Sequence, residues 1–168
     1  MESARDDLLC FLRADEVGVF PPYDVRPYQD DSPSREILAC RISTLYGLAM
    51  GKPMVVVVPI DSLAGYTLTR DDLLANTIEA RQGDCLDRDA LASRLVLMGY
   101  AREALVEDVG QFSIRGSVMD VFSPGMESPV RLDMFGDEIT AIKVFDLRTQ
   151  RTSRAVEKAL LLPASEVI

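Results

Sequence analysis

A chain of 168 residues with 48% hydrophobic and 27% charged residues has the size and composition of one full globular domain, or of one small domain with part of another. Its formal charge of −9 opposes broad attraction to a phosphate backbone, and its lack of histidine removes Ser/His/Asp and Cys/His nucleophile activation together with every histidine-containing metal site. No apolar run approaches the ~18 residues of a membrane helix, the acidic start Met1-Glu2-Ser3-Ala4-Arg5-Asp6-Asp7 has no signal-peptide pattern, and three scattered cysteines (Cys10, Cys40, Cys85) make no disulfide framework, so a reducing cytoplasm is expected.

Residues 1–66 have an α/β rhythm. Residues 4–12 read as a short helix with Leu8, Leu9, Phe11 and Leu12 on its apolar side, and Gly18-Val19-Phe20 as a short strand. After a loop through Tyr28-Gln29-Asp30-Asp31, Ser32 is placed to cap a helix with Pro33 at its first position. Ile37, Leu38, Arg41, Ile42, Leu45 and Tyr46 keep helical spacing, and Gly47 or Gly51 ends the helix. Residues 54–60 are β-branched without alternation, as in a parallel strand covered on both faces. Strand, helix, strand in that order predicts part of a doubly wound sheet.

Residues 67–152 read as a small α+β unit. A helical turn at 69–74 and a strand at 77–81 precede a helix capped by Asp87, with Leu91, Leu95 and Met98 on one face and Gly99 as its stop. Residues 110–145 then alternate apolar with polar side chains in strand-length runs. The runs are Phe112-Ser113-Ile114-Arg115, Val118-Met119-Asp120-Val121-Phe122, Val130-Arg131-Leu132-Asp133-Met134-Phe135 and 138–145, separated by turn residues such as Gly116, Pro124-Gly125, Pro129 and Gly136-Asp137. This predicts an antiparallel meander with one wet face, with Arg115 and Arg131 inside its strands. The stretch from Ala155 to Ile168 begins as helix or loop and then reads as a buried strand, Leu160-Leu161-Leu162-Pro163, that returns to the first sheet. The expected fold is a partial doubly wound α/β domain (1–66, with return strand 153–168) carrying an inserted small α+β domain (67–152), an antiparallel sheet plus helices.

The chemistry of nucleotide binding does not assemble. Gly51-Lys52 is followed by proline and lacks the upstream glycine of a phosphate-binding loop, and no GxGxxG run occurs. Asp61 stands where a magnesium-binding carboxylate could follow a strand, but without that loop it reads as a loop or cap residue. The adjacent carboxylates Asp6-Asp7, Asp30-Asp31, Asp71-Asp72 and Asp137-Glu138 point apart on helix or strand. Neither catalysis nor a cofactor is expected. A meander that displays side chains outward predicts instead a surface for a protein partner. Arg102, entering the sheet, and Arg115, ending its first clear strand, are the candidate contacts. Phe112 and Phe122 stand beside them; their phase is that of core residues, and Phe122 is the third candidate contact. Exposed arginines are worth less than about 1 kcal/mol in a surface pair, whereas arginine beside apolar groups has the composition of an interface hot spot.

The run Gly110-Gln111-Phe112-Ser113-Ile114-Arg115-Gly116-Ser117-Val118-Met119-Asp120-Val121-Phe122-Ser123-Pro124 resembles a segment of the excinuclease component UvrB and of the bacterial transcription-repair coupling factor. Further matches are Arg131-Leu132-Asp133-Met134-Phe135-Gly136-Asp137-Glu138-Ile139, Val144-Phe145-Asp146, Thr149-Gln150-Arg151-Thr152 and Leu161-Leu162-Pro163-Ala164. Phe20-Pro21, Leu45-Tyr46 and Val57-Val58-Pro59 suit the coupling factor better. Ser123 departs from the pattern, which has proline directly after the phenylalanine. The resemblance implies a non-catalytic docking domain for UvrA, the damage-recognition protein of nucleotide excision repair. It places family arginines at Arg115, through the Arg-Gly pair, and at Arg102, through Tyr100-Ala101-Arg102; a third falls on Ser113. It also implies that the chain is a fragment of an ATP-dependent DNA translocase whose RNA polymerase and DNA contacts lie elsewhere. The alternatives are a fragment of UvrB itself, an ATP-dependent DNA-binding enzyme, and a stand-alone DNA-binding domain.

Overall fold

The computed structural model describes residues 2–25 and 32–167, so the loop expected through Tyr28 and Asp31 lies outside the described residues. Helix α1 (Glu2–Leu9), strand β1 (Val17–Val19), helix α2 (Arg35–Ala49) and strand β2 (Val55–Val57) follow in the expected order, and β1 pairs with β2 in parallel. Thr44 fastens the helix to the strand by donating its hydroxyl to the Val19 carbonyl at 2.7 Å. Two details differ from the sequence reading. Ser34, not Ser32, caps α2, its Oγ accepting from the Ile37 amide at 3.4 Å. The Asp24 carboxylate accepts from the Ser34 amide at 3.0 Å, and Ser34 itself is extended (φ −61°, ψ 146°), so the helix starts beyond the proline. Strand β2 is shorter than residues 54–60 because Pro59 and a 3₁₀ turn at Ile60–Leu63 end it. Val55 is 44% exposed, and among the described residues only β1 pairs with β2, so the strand is not covered on both faces.

The second part contains α3 (Arg70–Ala75), β3 (Ile78–Arg81), α4 (Arg88–Leu97), β4 (Ala101–Arg102), β5 (Gln111–Arg115), β6 (Val118–Phe122), β7 (Val130–Phe135), β8 (Glu138–Phe145), β9 (Thr152–Val156) and β10 (Lys158–Leu161). Strands β4 to β9 form one six-stranded sheet in sequence order; β4 joins β5 in parallel and the remaining pairs are antiparallel. Asp87 caps α4, accepting from the Ala90 amide at 2.6 Å. The buried Leu91, Leu95 and Met98 belong to one core cluster with Phe112, Met119, Val121, Leu132, Ile139 and Ile142 of the sheet.

The end of α4 is closed by Gly99 at φ +89°, where a Cβ would collide with the Ser165 side chain and lie 3.0 Å from the Ser165 amide nitrogen. Gly99→Ala is therefore expected to destabilise the chain by more than ~1 kcal/mol, combining left-handed backbone strain with a clash, and a urea melt checks it.

The last segment corrects the sequence reading. Residues 152–156 form the edge strand β9, against the helix or loop expected from Ala155; its exposed TSRAV sequence lacks an apolar alternation and is ordered by pairing with β8. Strand β10 does not return to the β1–β2 sheet. It pairs antiparallel with β3, with Ala159 opposite Ala80 and Leu161 opposite Ile78, all four buried in or against the main core. The chain rejoins α2 through side chains: Leu160 of β10 packs against the cluster that Leu162 forms with Ile42 and Leu73, and Glu166 pairs with Arg41.

On the β3–β10 ribbon Glu79 accepts from Lys158 Nζ at 2.9 Å and also pairs with Arg81. Lys158, then Arg81, holds the Glu79 carboxyl below its ordinary value of 4.5. A folded-state pKa below the unfolded one makes the ionised form the stabilising one. This contribution is fully present above pH 4.5 and is lost as the pH falls through the lower folded value. Glu79→Gln is expected to flatten the stability curve in that acid window and leave its slope near neutrality unchanged, as measured by melts across pH.

Candidate docking surface

Register divides the sheet into two faces. On β5 and β6, Phe112, Ile114, Met119 and Val121 belong to the α4 side, whereas Gln111, Ser113, Arg115, Val118, Asp120 and Phe122 point away from it. The outward row continues across the sheet from Ser113 through Asp120 and Arg131 to Lys143. This face is only partly wet. Gln111 Oε1 accepts from the amides of Glu107 at 2.9 Å and Asp108 at 3.0 Å. Gln150 Nε2 donates to the Val106 carbonyl at 3.1 Å. These two loops bury Val106, Val109 and Phe145 apart from the main core cluster. The end carrying Arg115 is left open.

Asp120 organises that end. Its carboxylate is fully buried, yet it accepts from Arg131 Nε at 2.7 Å, Arg131 Nη2 at 2.9 Å and Arg115 Nη2 at 2.5 Å. A buried carboxylate stays charged only with such pairing, and bidentate guanidinium contact is its strongest form. The Asp120 hydrogen bonds also raise the pKa of Arg131 against the opposing effect of burial. Arg131 is held in turn above the Phe145 ring, 4.9 Å from its centroid, and reaches the Gln150 carbonyl at 3.4 Å. Arg115 is a diagonal neighbour of Asp120 and remains 45% exposed. The turn behind it needs Gly116, at φ +60°, and Arg88 of α4 donates to the Gly116 carbonyl at 2.7 Å.

Arg102 occupies a different position. It ends β4 in register with Phe112 and lines a groove with Ser93 and Val96 of α4, on the helix side of the same sheet edge. It is exposed, and among the described residues it makes no ion pair. The two candidate arginines thus flank the β4–β5 edge from opposite faces. Phe122 lies on the Arg115 face, opposite Gln111 and half-buried, whereas Phe112 is wholly buried. Asp61 is an exposed residue of the Ile60–Leu63 turn. Sequence reasoning missed the partnership of Asp120 and Arg131, although both sit at the polar phase of their strands.

Ser123 has a structural use of its own. Its buried Oγ accepts from the Leu162 amide at 2.8 Å and donates to the Pro124 carbonyl at 3.3 Å, tying the end of β6 to the C-terminal segment. The fully enclosed Tyr100 donates to the Leu162 carbonyl at 2.6 Å, and burial pushes its phenol well above the ordinary value.

A sheet with arginines at one edge, no catalytic constellation among the described residues and its apolar face sealed by a helix is the architecture of a protein-interaction module. The family model described as UvrB interaction domain matches residues 78–167, and the chain belongs to that family. A protein named transcription-repair-coupling factor from Myxococcus xanthus is 40% identical over 94% of the chain. Proteins of the same name from two Staphylococcus aureus strains, bovine RF122 / ET3-1 and USA300, are 34% and 35% identical over 99% of it. The chain spans 13% of the first relative and 14% of the other two. It is similar to one part of transcription-repair-coupling factors. No helix among the described residues is long and apolar enough to cross a membrane.

Proposed function

We infer that the chain is the UvrA-docking module of a transcription-repair-coupling factor, acting in the bacterial cytoplasm. The observation that carries this reading is the pair of exposed guanidinium groups at one sheet edge of a UvrB interaction domain: Arg115, half-exposed and anchored, and Arg102, unpaired among the described residues in its groove. A partner straddling this edge with acidic groups would form charge-assisted bonds to both, and the half-buried Phe122, on the Arg115 face but at the Gln111 end of the strand pair, would add an apolar contact away from the guanidinium. Recruitment of UvrA then requires no chemistry from this chain. ATP-driven translocation and contact with RNA polymerase and DNA belong to other parts of the parent. Proposed with it is a division into an α/β part at 1–66 and a docking domain from 67 onward that takes in β9 and β10, the return to the α/β part being made by side chains from Leu160 to Glu166 in place of a return strand over 153–168. Titration of the purified chain with purified UvrA tests the reading. Saturable one-site binding that weakens with salt is expected, and no detectable binding at micromolar concentration rules the reading out.

A further inference from the structure

The two arginines differ in one physical respect that bears on how the surface binds. A free surface arginine samples many rotamers and must be ordered when a partner arrives, which weakens association. Arg102 is of that kind. Arg115 is not: Asp120 Oδ2 takes its Nη2 at 2.5 Å, Arg131 grips the same carboxylate through two N–H groups, and Gln150 and Phe145 fix Arg131. Gln150 is itself tied to the carbonyls of Val106 at 3.1 Å and Leu147 at 2.8 Å. The result is a continuous relay of fixed groups from the 146–151 turn to the exposed edge. Two guanidinium groups share one carboxylate, so the cluster keeps one positive charge in excess within a chain of net charge −9.

We propose that Asp120 is a positioning residue of the docking surface: locked by Arg131, its buried carboxylate preorganises Arg115 so that the remaining guanidinium N–H groups meet a carboxylate of the protein partner. This rests on the docking reading above. Preorganisation strengthens binding by reducing the ordering that association demands, and the effect must pass through Arg115 alone. Arg102, across the edge, is outside the relay.

A double-mutant cycle against purified UvrA tests this. Asp120→Asn is expected to weaken binding about tenfold. In that background Arg115→Ala is expected to cost about threefold further, against about thirtyfold in the parent, whereas Arg102→Ala retains its full effect. An Asp120 that only supports the fold would leave Arg115→Ala costing the same factor in both backgrounds, and that result overturns the proposal. If Asp120→Asn misfolds because Arg131 loses its partner, Asp120→Asn with Arg131→Gln supplies a neutral hydrogen-bonding pair, and the same decoupling of Arg115 is expected in it. Loss of binding with Arg115→Ala but no coupling to residue 120 defeats the positioning role alone. An Arg115→Ala variant that binds like the parent overturns the docking reading and this inference together.

Discussion

Replacing Arg102 and Arg115 together by alanine is expected to reduce affinity for UvrA by roughly a thousandfold, each contributing as a hot-spot arginine of about 2 kcal/mol. The fold should survive. Arg102 is exposed and unpaired among the described residues, and removing Arg115 leaves Asp120 still held by both Arg131 contacts. The stability change should thus stay within about 1 kcal/mol. Calorimetric titration with a circular dichroism melt separates the two quantities. A folded double variant with undiminished affinity would show that the arginines are ordinary surface charges.

The largest stability effect is expected at the other end of the molecule. Arg41 and Glu166 form an ion pair whose side chains are 2% and 4% exposed. Arg41 also donates to the Pro21 carbonyl at 2.8 Å, and its guanidinium lies 3.9 Å and 4.2 Å from the ring centroids of Phe20 and Tyr23. Thr67 adds a hydrogen bond to Glu166 at 2.8 Å. This single cluster joins α2, the segment after β1, the approach to α3 and the C-terminal segment. Glu166→Ala strands a buried guanidinium and should cost about 3–5 kcal/mol, of order 10 °C in Tm. Arg41→Met with Glu166→Leu removes both charges and should recover most of that loss, because the desolvation of the pair disappears with it. A double variant as unstable as Glu166→Ala would mean that the cluster holds the segments by shape and not by charge compensation.

The sequence by itself determined the local units. Proline, glycine and capping residues set the ends of the helices, period-two alternation set the strands β5 to β8, and two-residue turns joined β5 to β6 and β7 to β8. The turn at Gly116-Ser117 even fixes the register that places Ser113 opposite Asp120. The Arg-Gly pair and Tyr100-Ala101-Arg102 marked the candidate contacts for the same reason: they are local patterns. Only the tertiary structure decided that β10 pairs with β3, that β9 is a strand, and that the two arginines stand on opposite faces of one edge. It alone brought Arg131 to Asp120, across a connection at 123–129 whose length leaves register open, and Arg41 to Glu166. Arg41 was legible as part of the inward stripe of α2, but its partner lies far along the chain. Alternation and capping are energies between near neighbours, readable in order. A buried charge is tolerated only once distant segments supply its counter-charge, and no local pattern carries that information.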